Sequence, residues 1–408
     1  MSIVVTKSSS VAVTSPPELG TLTGSIINLS SFDKCFAPVP VHLLLVFDQP
    51  INDPVQTVKK AVSMALVHYH PMAGRLVAGA DDRELIHIAC TCEGVSFVGA
   101  SASCTLRYPA DYCRPGEPLL LMQVTEFACG GFTVGVTWNH VVADGAGMAQ
   151  FLQAVGELAR GMPAPSVVPV RSVVDGSLPS LPSEVVAAMR SQMSVGMEEM
   201  AILEVTVPWS LISRVKRECR GECTTFDAVA ALFWQCRTRA IATSDPDTPA
   251  PLFFPSSMRW LIGGAAKHGY YGNCVMRQPV QAKSGTVASG DVKDLVKLIR
   301  LAKRKNIPGM LTITNGGGGG TETPPPRCKY NTLVVTSLRN LGLDAVDLGR
   351  GSPARVMPPL CKAERTASNF CVLCPPCKGK DGVNVVSICV KPEHADAFAK
   401  ELAALGIC

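Results

Sequence analysis

The sequence predicts an α/β protein of two lobes joined by a crossover. Three observations carry that expectation. The chain has 408 residues, more than one hydrophobic core comfortably serves. In both halves, apolar runs of strand length alternate with stretches whose apolar residues recur at helical spacing. Between the halves, residues 161–200 are rich in Pro, Ser and Val and show no core element before Val185. The expected division is therefore a first lobe over 1–165, a crossover over 166–200 and a second lobe over 201–408.

Taken in order, VHLLLVFD (41–48) reads as a buried strand. From Val55 the apolar positions Val58, Val62, Ala65 and Leu66 give a helix to Leu66, and Pro71 and Gly74 break the chain soon after. ELIHIAC (84–90) and GVSFVGA (94–100) are short strands. From Gly131 to His140, Phe132, Val134, Val136, Trp138 and His140 share one face, with Thr133, Gly135, Thr137 and Asn139 on the other. Past Gly145 the period changes: Met148, Phe151, Leu152, Val155 and Leu158 mark a helix that Gly161 and Pro163 close. His140 is thus expected as the last residue of a strand, with Asp144-Gly145 as the corner entering the helix. In the second half, TTFDAVAALFWQCRTRAI (224–241), DVKDLVKLIRLAKRK (291–305) and EHADAFAKELAAL (393–405) read as helices. NTLVVTSL (331–338) and VNVVSICV (383–390) read as strands, and NGGGGGTETPPP (315–326) as a mobile low-complexity loop.

Composition narrows the function. With 47% hydrophobic and 17% charged residues the chain can bury a large core without staples. A net charge of +5, not gathered into one run, argues against a nucleic-acid partner, which needs a basic stripe. No stretch reaches the ~18 uncharged apolar residues of a membrane span, and MSIVVTKSSSVAVT has no sustained apolar run. The 17 cysteines are expected to be reduced, buried as small hydrophobes, in a cytoplasmic, monomeric protein.

The stretch TWNHVVADGAG (137–147) holds the chemistry. As metal ligands, His140 and Asp144 lack a nearby third donor, and zinc sites usually need three or four. As a core histidine, His140 would be a satisfied strand end. At a strand terminus followed by a tight Asp-Gly corner, a histidine can also project into a cleft as a general base. Asp144 then holds the corner by local hydrogen bonds, Gly145 supplies backbone freedom and Gly147 permits close approach.

Other features read as structural. CVLCPPC (371–377) has CxxCxxC spacing, but no fourth ligand lies nearby, so it is a Pro-rich loop with incidental cysteines. GGGGG (316–320) lacks the Lys-Ser/Thr ending of a phosphate loop. The absence of GxSxG lowers the expectation of a serine acyl-enzyme. In VDLGRGSPARVMPP (346–359), Asp347 sits among Gly349, Gly351 and prolines and is expected to anchor its loop; a buried aspartate needs a partner, and Arg259 is among the candidates.

With these residues in hand, the chain resembles the plant BAHD acyl-CoA-dependent acyltransferases. NHVVADG matches that family's HxxxDG motif, and DLGRG stands where its DFGWG motif belongs. HYHPMAGRL (68–76), SSMRW with HGYYGN (256–273), NTLVVTSLRNLGLDAVD (331–347) and GVNVVSICVKPEHADAF (382–398) extend the likeness nearly end to end. Leu348 and Arg350 replace the aromatics of DFGWG, Leu338 replaces a tryptophan after Thr-Ser, and the crossover and the 300–328 region are abbreviated.

The resemblance implies two similar lobes with mixed sheets, like chloramphenicol acetyltransferase, and a channel entered by acyl-CoA from one side and an acceptor from the other. It implies that His140 takes the acceptor's proton while Asp144 and Asp347 shape their loops, the latter through Arg259. Thr336 and Ser337 are candidate oxyanion donors. Acyl-CoA is a co-substrate; no further cofactor and no metal are implied. DKCFAPVPVHLLLVFD and VDLGRGSPARVMPP are similar to grass enzymes that use hydroxycinnamoyl or benzoyl donors. The expected acceptor is a polyamine such as spermidine, then an alcohol. A weakly active binding protein is the alternative that the altered DLGRG loop raises.

Overall fold

The computed structural model describes residues 6–20, 24–36, 39–78, 85–101, 115–171, 178, 180–192, 199–241, 245–263, 268–313, 330–359 and 369–407. The expected 315–326 loop and parts of the expected crossover lie outside them. In chain order the elements are β1 (Thr6–Lys7), β2 (Val11–Val13), β3 (Ile26–Asn28), α1 (Ser31–Lys34), β4 (Pro40–Phe47), α2 (Pro54–His68), β5 (Arg75–Ala78), β6 (Leu85–Ala89) and β7 (Val95–Ser101). Then come β8 (Leu120–Glu126), β9 (Phe132–Asn139), α3 (Gly145–Ala159), α4 (Ser183–Gln192), β10 (Ala201–Val207), α5 (Trp209–Glu218), α6 (Thr225–Ala240) and β11 (Leu252–Ser257). The remainder are β12 (Val275–Val280), α7 (Ser284–Ser289), α8 (Val292–Ile313), β13 (Leu333–Ser337), β14 (Arg355–Met357), β15 (Phe370–Leu373), β16 (Val383–Val390) and α9 (Pro392–Ala403). Among the described residues, no helix is long and apolar enough to cross a membrane.

The chain divides into two compact units. The first takes Met1–Leu181 together with Ser257–Val275 and Asn340–Cys361; the second takes Pro182–Ser256, Met276–Arg339 and Lys362–Cys408. Two segments from the second half of the sequence thus belong to the first unit, a non-local arrangement that composition along the chain does not reveal.

The first unit is built on a mixed sheet ordered β1-β7-β8-β9-β4-β14, with β2 also on β7 and a small β3-β6-β5 sheet beside it. β9 lies between β8 and β4, antiparallel to both. Its residues are buried on both faces, so the Phe/Val/Trp face and the Thr/Gly/Asn face are both covered. Helices α2 and α3 pack on each other, and α2 also meets β7 and β8. β8 carries buried Gln123 and Thr125, whose side chains bond each other at 2.9 Å, and this polar pair hides the strand from a hydrophobicity reading.

The second unit is a mixed sheet ordered β10-β16-β15-β13-β11-β12. β13 runs parallel to β11 and β15, whereas β16 is antiparallel to β15 and β10. Its core gathers around α6, which is buried on nearly every side, from Asp227 to Thr238. That explains why 228–234 is apolar all round rather than along one stripe. Thr224 and Asp227 form a reciprocal capping box at its start. Cys371 lies inside β15 and Cys374 just after it, both buried, so the first part of CVLCPPC is a core strand and only the stretch from Cys374 is the loop expected. No group of three His, Cys, Asp or Glu that could hold a metal occurs among the described residues.

Candidate active site

The corner after β9 is shaped by its own hydrogen bonds. β9 ends at Asn139, one residue earlier than expected, because the chain turns there: Val142 N–H donates to Asn139 C=O at 3.0 Å, and Asn139 Oδ1 accepts from Val141 N–H. Trp138 Nε1 closes the turn by donating to Ala143 C=O at 2.9 Å. His140 keeps its backbone N–H on Val39 C=O at 2.8 Å, so the residue is still tied to the sheet. Its ring stacks on Phe36, with centroids 4.3 Å apart and planes 10° from parallel.

Asp144, expected to hold the corner by local hydrogen bonds, is the N-cap of α3, with Oδ1 accepting from Gly147 N–H at 2.9 Å. The same oxygen takes Arg259 Nη2 at 2.6 Å, and Oδ2 accepts from Cys274 N–H at 3.0 Å. Arg259 also donates to the carbonyls of Tyr270 and Gly272. Buried Asp144 therefore ties the helix start to the 257–275 segment. Burial also pushes the neighbouring Cys274 thiol up to about 12, so it stays protonated at neutral pH.

This corrects the expected pairing of Arg259 with Asp347. Asp347 instead faces Arg160 at the end of α3, whose Nη1 lies 3.8 Å from Oδ2 and also donates to the Asp347 carbonyl. The physical reason is competition: Arg259 is already committed to a buried carboxylate, where an uncompensated charge costs far more than at a half-exposed one. Asp347 does anchor its loop, Oδ1 accepting from Gly349 and Gly351 N–H, both at 2.8 Å. Those two glycines have φ of +119° and +97°, which a side chain would strain. Burial works against the Asp347 charge, but the Gly349 and Gly351 amides and Arg160 outweigh it and hold the carboxyl below the usual carboxylate range.

Gly145 is the first residue of α3 and is not among the positive-φ glycines, so backbone freedom is not its role. A Cβ there would lie 2.9 Å from Leu341 Cδ1. Gly147 does permit close approach: its Cβ would fall 1.9 Å from the Tyr271 carbonyl oxygen.

Asn273 has no assigned part in the sequence reading although HGYYGN contains it. Its Nδ2 donates to Asp33 Oδ1 at 3.0 Å and to the carbonyls of His140 at 2.7 Å and Val141 at 3.3 Å. Those oxygens only accept, so the amide nitrogen faces them and its oxygen faces His140 Nδ1, 3.0 Å away. An amide oxygen only accepts in turn, so Nδ1 carries a hydrogen, and in the neutral ring the lone pair is then on Nε2. Phe36, Asp33 and Arg171 likewise receive no role from the sequence, because their partners lie far away along the chain. Thr336 and Ser337 lie at the end of β13 in the second unit, and Ser337 Oγ accepts from Arg339 N–H at 3.1 Å.

The site of the first unit is thus a histidine with a defined tautomer beside a helix corner locked by a buried ion pair. Comparison with known proteins places this arrangement. A profile described as Transferase family matches residues 3–108 and 108–405. Acyl transferase 15 of Oryza sativa subsp. japonica is 43% identical, covering 99% of each chain. Myricetin 3-O-glucosyl 1,2-rhamnoside 6'-O-caffeoyltransferase AT2 of Crocosmia x crocosmiiflora is 33% identical over 98% of this chain and 99% of its own. The crystal structure of vinorine synthase superposes with a TM-score of 0.77 at 18% identity over 98% of both chains, a likeness of fold. The chain belongs to this transferase family, the BAHD acyl-CoA-dependent acyltransferases.

Proposed function

We propose that the protein moves an aromatic acyl group, of the hydroxycinnamoyl or benzoyl class, from its CoA thioester to an acceptor hydroxyl, with His140 as general base. The observation that carries the assignment is the Asn273–His140 hydrogen bond, which leaves the Nε2 lone pair as the proton acceptor. As the acceptor O–H gives its proton to Nε2, its oxygen forms a bond to the thioester carbonyl carbon. The tetrahedral oxyanion collapses, the C–S bond breaks, and the departing CoA thiolate takes the proton from the imidazolium. A positioned base of this kind contributes about 10²–10⁴ in rate. Bringing both substrates together supplies a further entropic advantage.

Two observations favour a hydroxyl over the polyamine amine that the sequence suggests. Among the described residues, the two carboxylates bonded into the His140 corner, Asp33 and Asp144, are each committed to an arginine and to amide donors, whereas a cationic acceptor is best held by an uncommitted acid. The Crocosmia relative is named as an O-caffeoyltransferase. The test is thiol release from p-coumaroyl-, caffeoyl- and benzoyl-CoA against a panel of glycosides, alcohols and polyamines, with products identified by mass spectrometry. An ester product, reduced at least 100-fold in His140→Ala, supports the reading. Amide products with spermidine return the acceptor to the amine class. If no acceptor exceeds the His140→Ala background, acyl transfer by this site is excluded.

A further inference from the structure

We propose that the buried pair Asp33–Arg171 is a positioning element for His140 that acts through Asn273 and holds the histidine as its Nδ1–H tautomer. The inference rests on the proposed role of His140 as base and adds residues to it.

Asp33 is fully buried, and Arg171 is nearly so, with their side chains 3.2 Å apart. A carboxylate removed from water in this way is costly unless several donors satisfy it. The two oxygens of Asp33 divide the work. Oδ2 serves the local fold: it accepts from Ser30 N–H at 2.9 Å and Ser30 Oγ at 2.8 Å, capping α1, and it takes Arg171. Oδ1 serves Asn273, accepting from its backbone N–H at 3.2 Å and its Nδ2 at 3.0 Å. A capping role alone accounts for Oδ2 and leaves the second pair of bonds, 240 residues away in sequence, unexplained.

The consequence concerns which way the Asn273 amide points. Flipped, its oxygen would face the carboxylate and the carbonyls of His140 and Val141, three acceptors that repel it. Its NH₂ would then meet Nδ1, which would have to accept, and the ring hydrogen would move to Nε2. That tautomer has no lone pair where the base needs one. Arg171 completes the clamp. It neutralises Asp33, and its Nη2 donates to the Val141 carbonyl at 3.0 Å, the carbonyl immediately after the base. Burial works against the Arg171 charge, but Asp33 and the tyrosines nearby outweigh it and keep the guanidinium charged. A chain of fixed dipoles therefore runs from a buried ion pair to the imidazole, as the hydrogen-bond partners behind metal-ligating histidines fix those rings.

Two measurements test this. In the ¹⁵N-histidine spectrum of the full chain above the titration of the ring, the signals absent from His140→Ala should report Nδ1–H; an Nε2–H pattern overturns the proposal. In the double variant Asp33→Leu with Arg171→Met, an apolar replacement of similar volume leaves no buried charge unpaired. It should lower kcat about 100-fold, the scale of a misdirected catalytic group, with both KM values within about twofold. It should also show an Nε2–H or mixed pattern. Wild-type kcat, or a lowered kcat with the tautomer unchanged, overturns the proposal. If the double variant does not fold, the wild-type spectrum still decides. Because the spectrum needs no substrate, a chain that is Nδ1–H yet transfers no acyl group refutes the proposed function without refuting this inference.

Discussion

Arg259 holds Asp144 at 2.6 Å, and that carboxylate caps the helix that follows the histidine corner. The arrangement makes Asp144 a structural hinge pin between α3 and the 257–275 segment. Asp144→Ala removes the cap and strands a half-buried guanidinium. It is expected to destabilise the protein by about 3 kcal/mol in urea unfolding, with activity lost in proportion to the folded fraction. A fully stable but inactive Asp144→Ala would assign this carboxylate to the chemistry instead.

Gly147→Ala is expected to be as damaging as a buried truncation, because the new Cβ would sit 1.9 Å from the Tyr271 carbonyl. The 269–273 segment must move, and with it Asn273. Thermal unfolding and turnover should therefore fall together. A variant with wild-type kcat would show that the segment can yield without disturbing the base.

Leu348, where the family has an aromatic residue, lines a small apolar void with Leu45, Phe47, Val58, Met122, Val134, Leu152, Val155 and Val346. Leu348→Phe should fill it and stabilise the first unit by about 1 kcal/mol, read as a raised urea midpoint. A lowered midpoint would mean that the loop has closed around leucine and is overpacked by a ring.

Asp347 gives a pH signature. Its folded carboxyl is held below the ordinary range, so its contribution is complete above about pH 4 and is lost as the pH falls through the depressed folded value. With the pair about one-third exposed, the effect is under about 1 kcal/mol. Asp347→Asn should be slightly less stable at pH 7, and the two proteins should converge in acid. A gap that persists below pH 3 would point to lost shape rather than lost charge.

How much of this was legible beforehand differs from one residue to the next. The β9–α3 corner was readable because strand alternation through Trp138 gives way to helical spacing from Met148 within a few residues, and Asp144 is a good cap. The glycine pair in DLGRG was readable as a tight loop because positive φ selects glycine. β8 was not, since Gln123 and Thr125, polar residues that bond each other within the strand, interrupt its apolar pattern although both are buried. The partner of Arg259 is not legible for a different reason: an arginine's place in the sequence does not say which of two distant carboxylates will be buried deeper.

The sequence by itself determined the local physics: periodicity, capping, turn chemistry and the end-to-end likeness to an acyltransferase family. Those signals act over a few residues or through the order of motifs, so one strand of text contains them. The tertiary structure decided what charge and hydrogen bonding do across the chain: Asp144 with Arg259, Asp347 with Arg160, and Asn273 between Asp33 and His140. These pairings depend on burial and on which donors arrive first at a desolvated oxygen, and both are properties of the packed molecule alone.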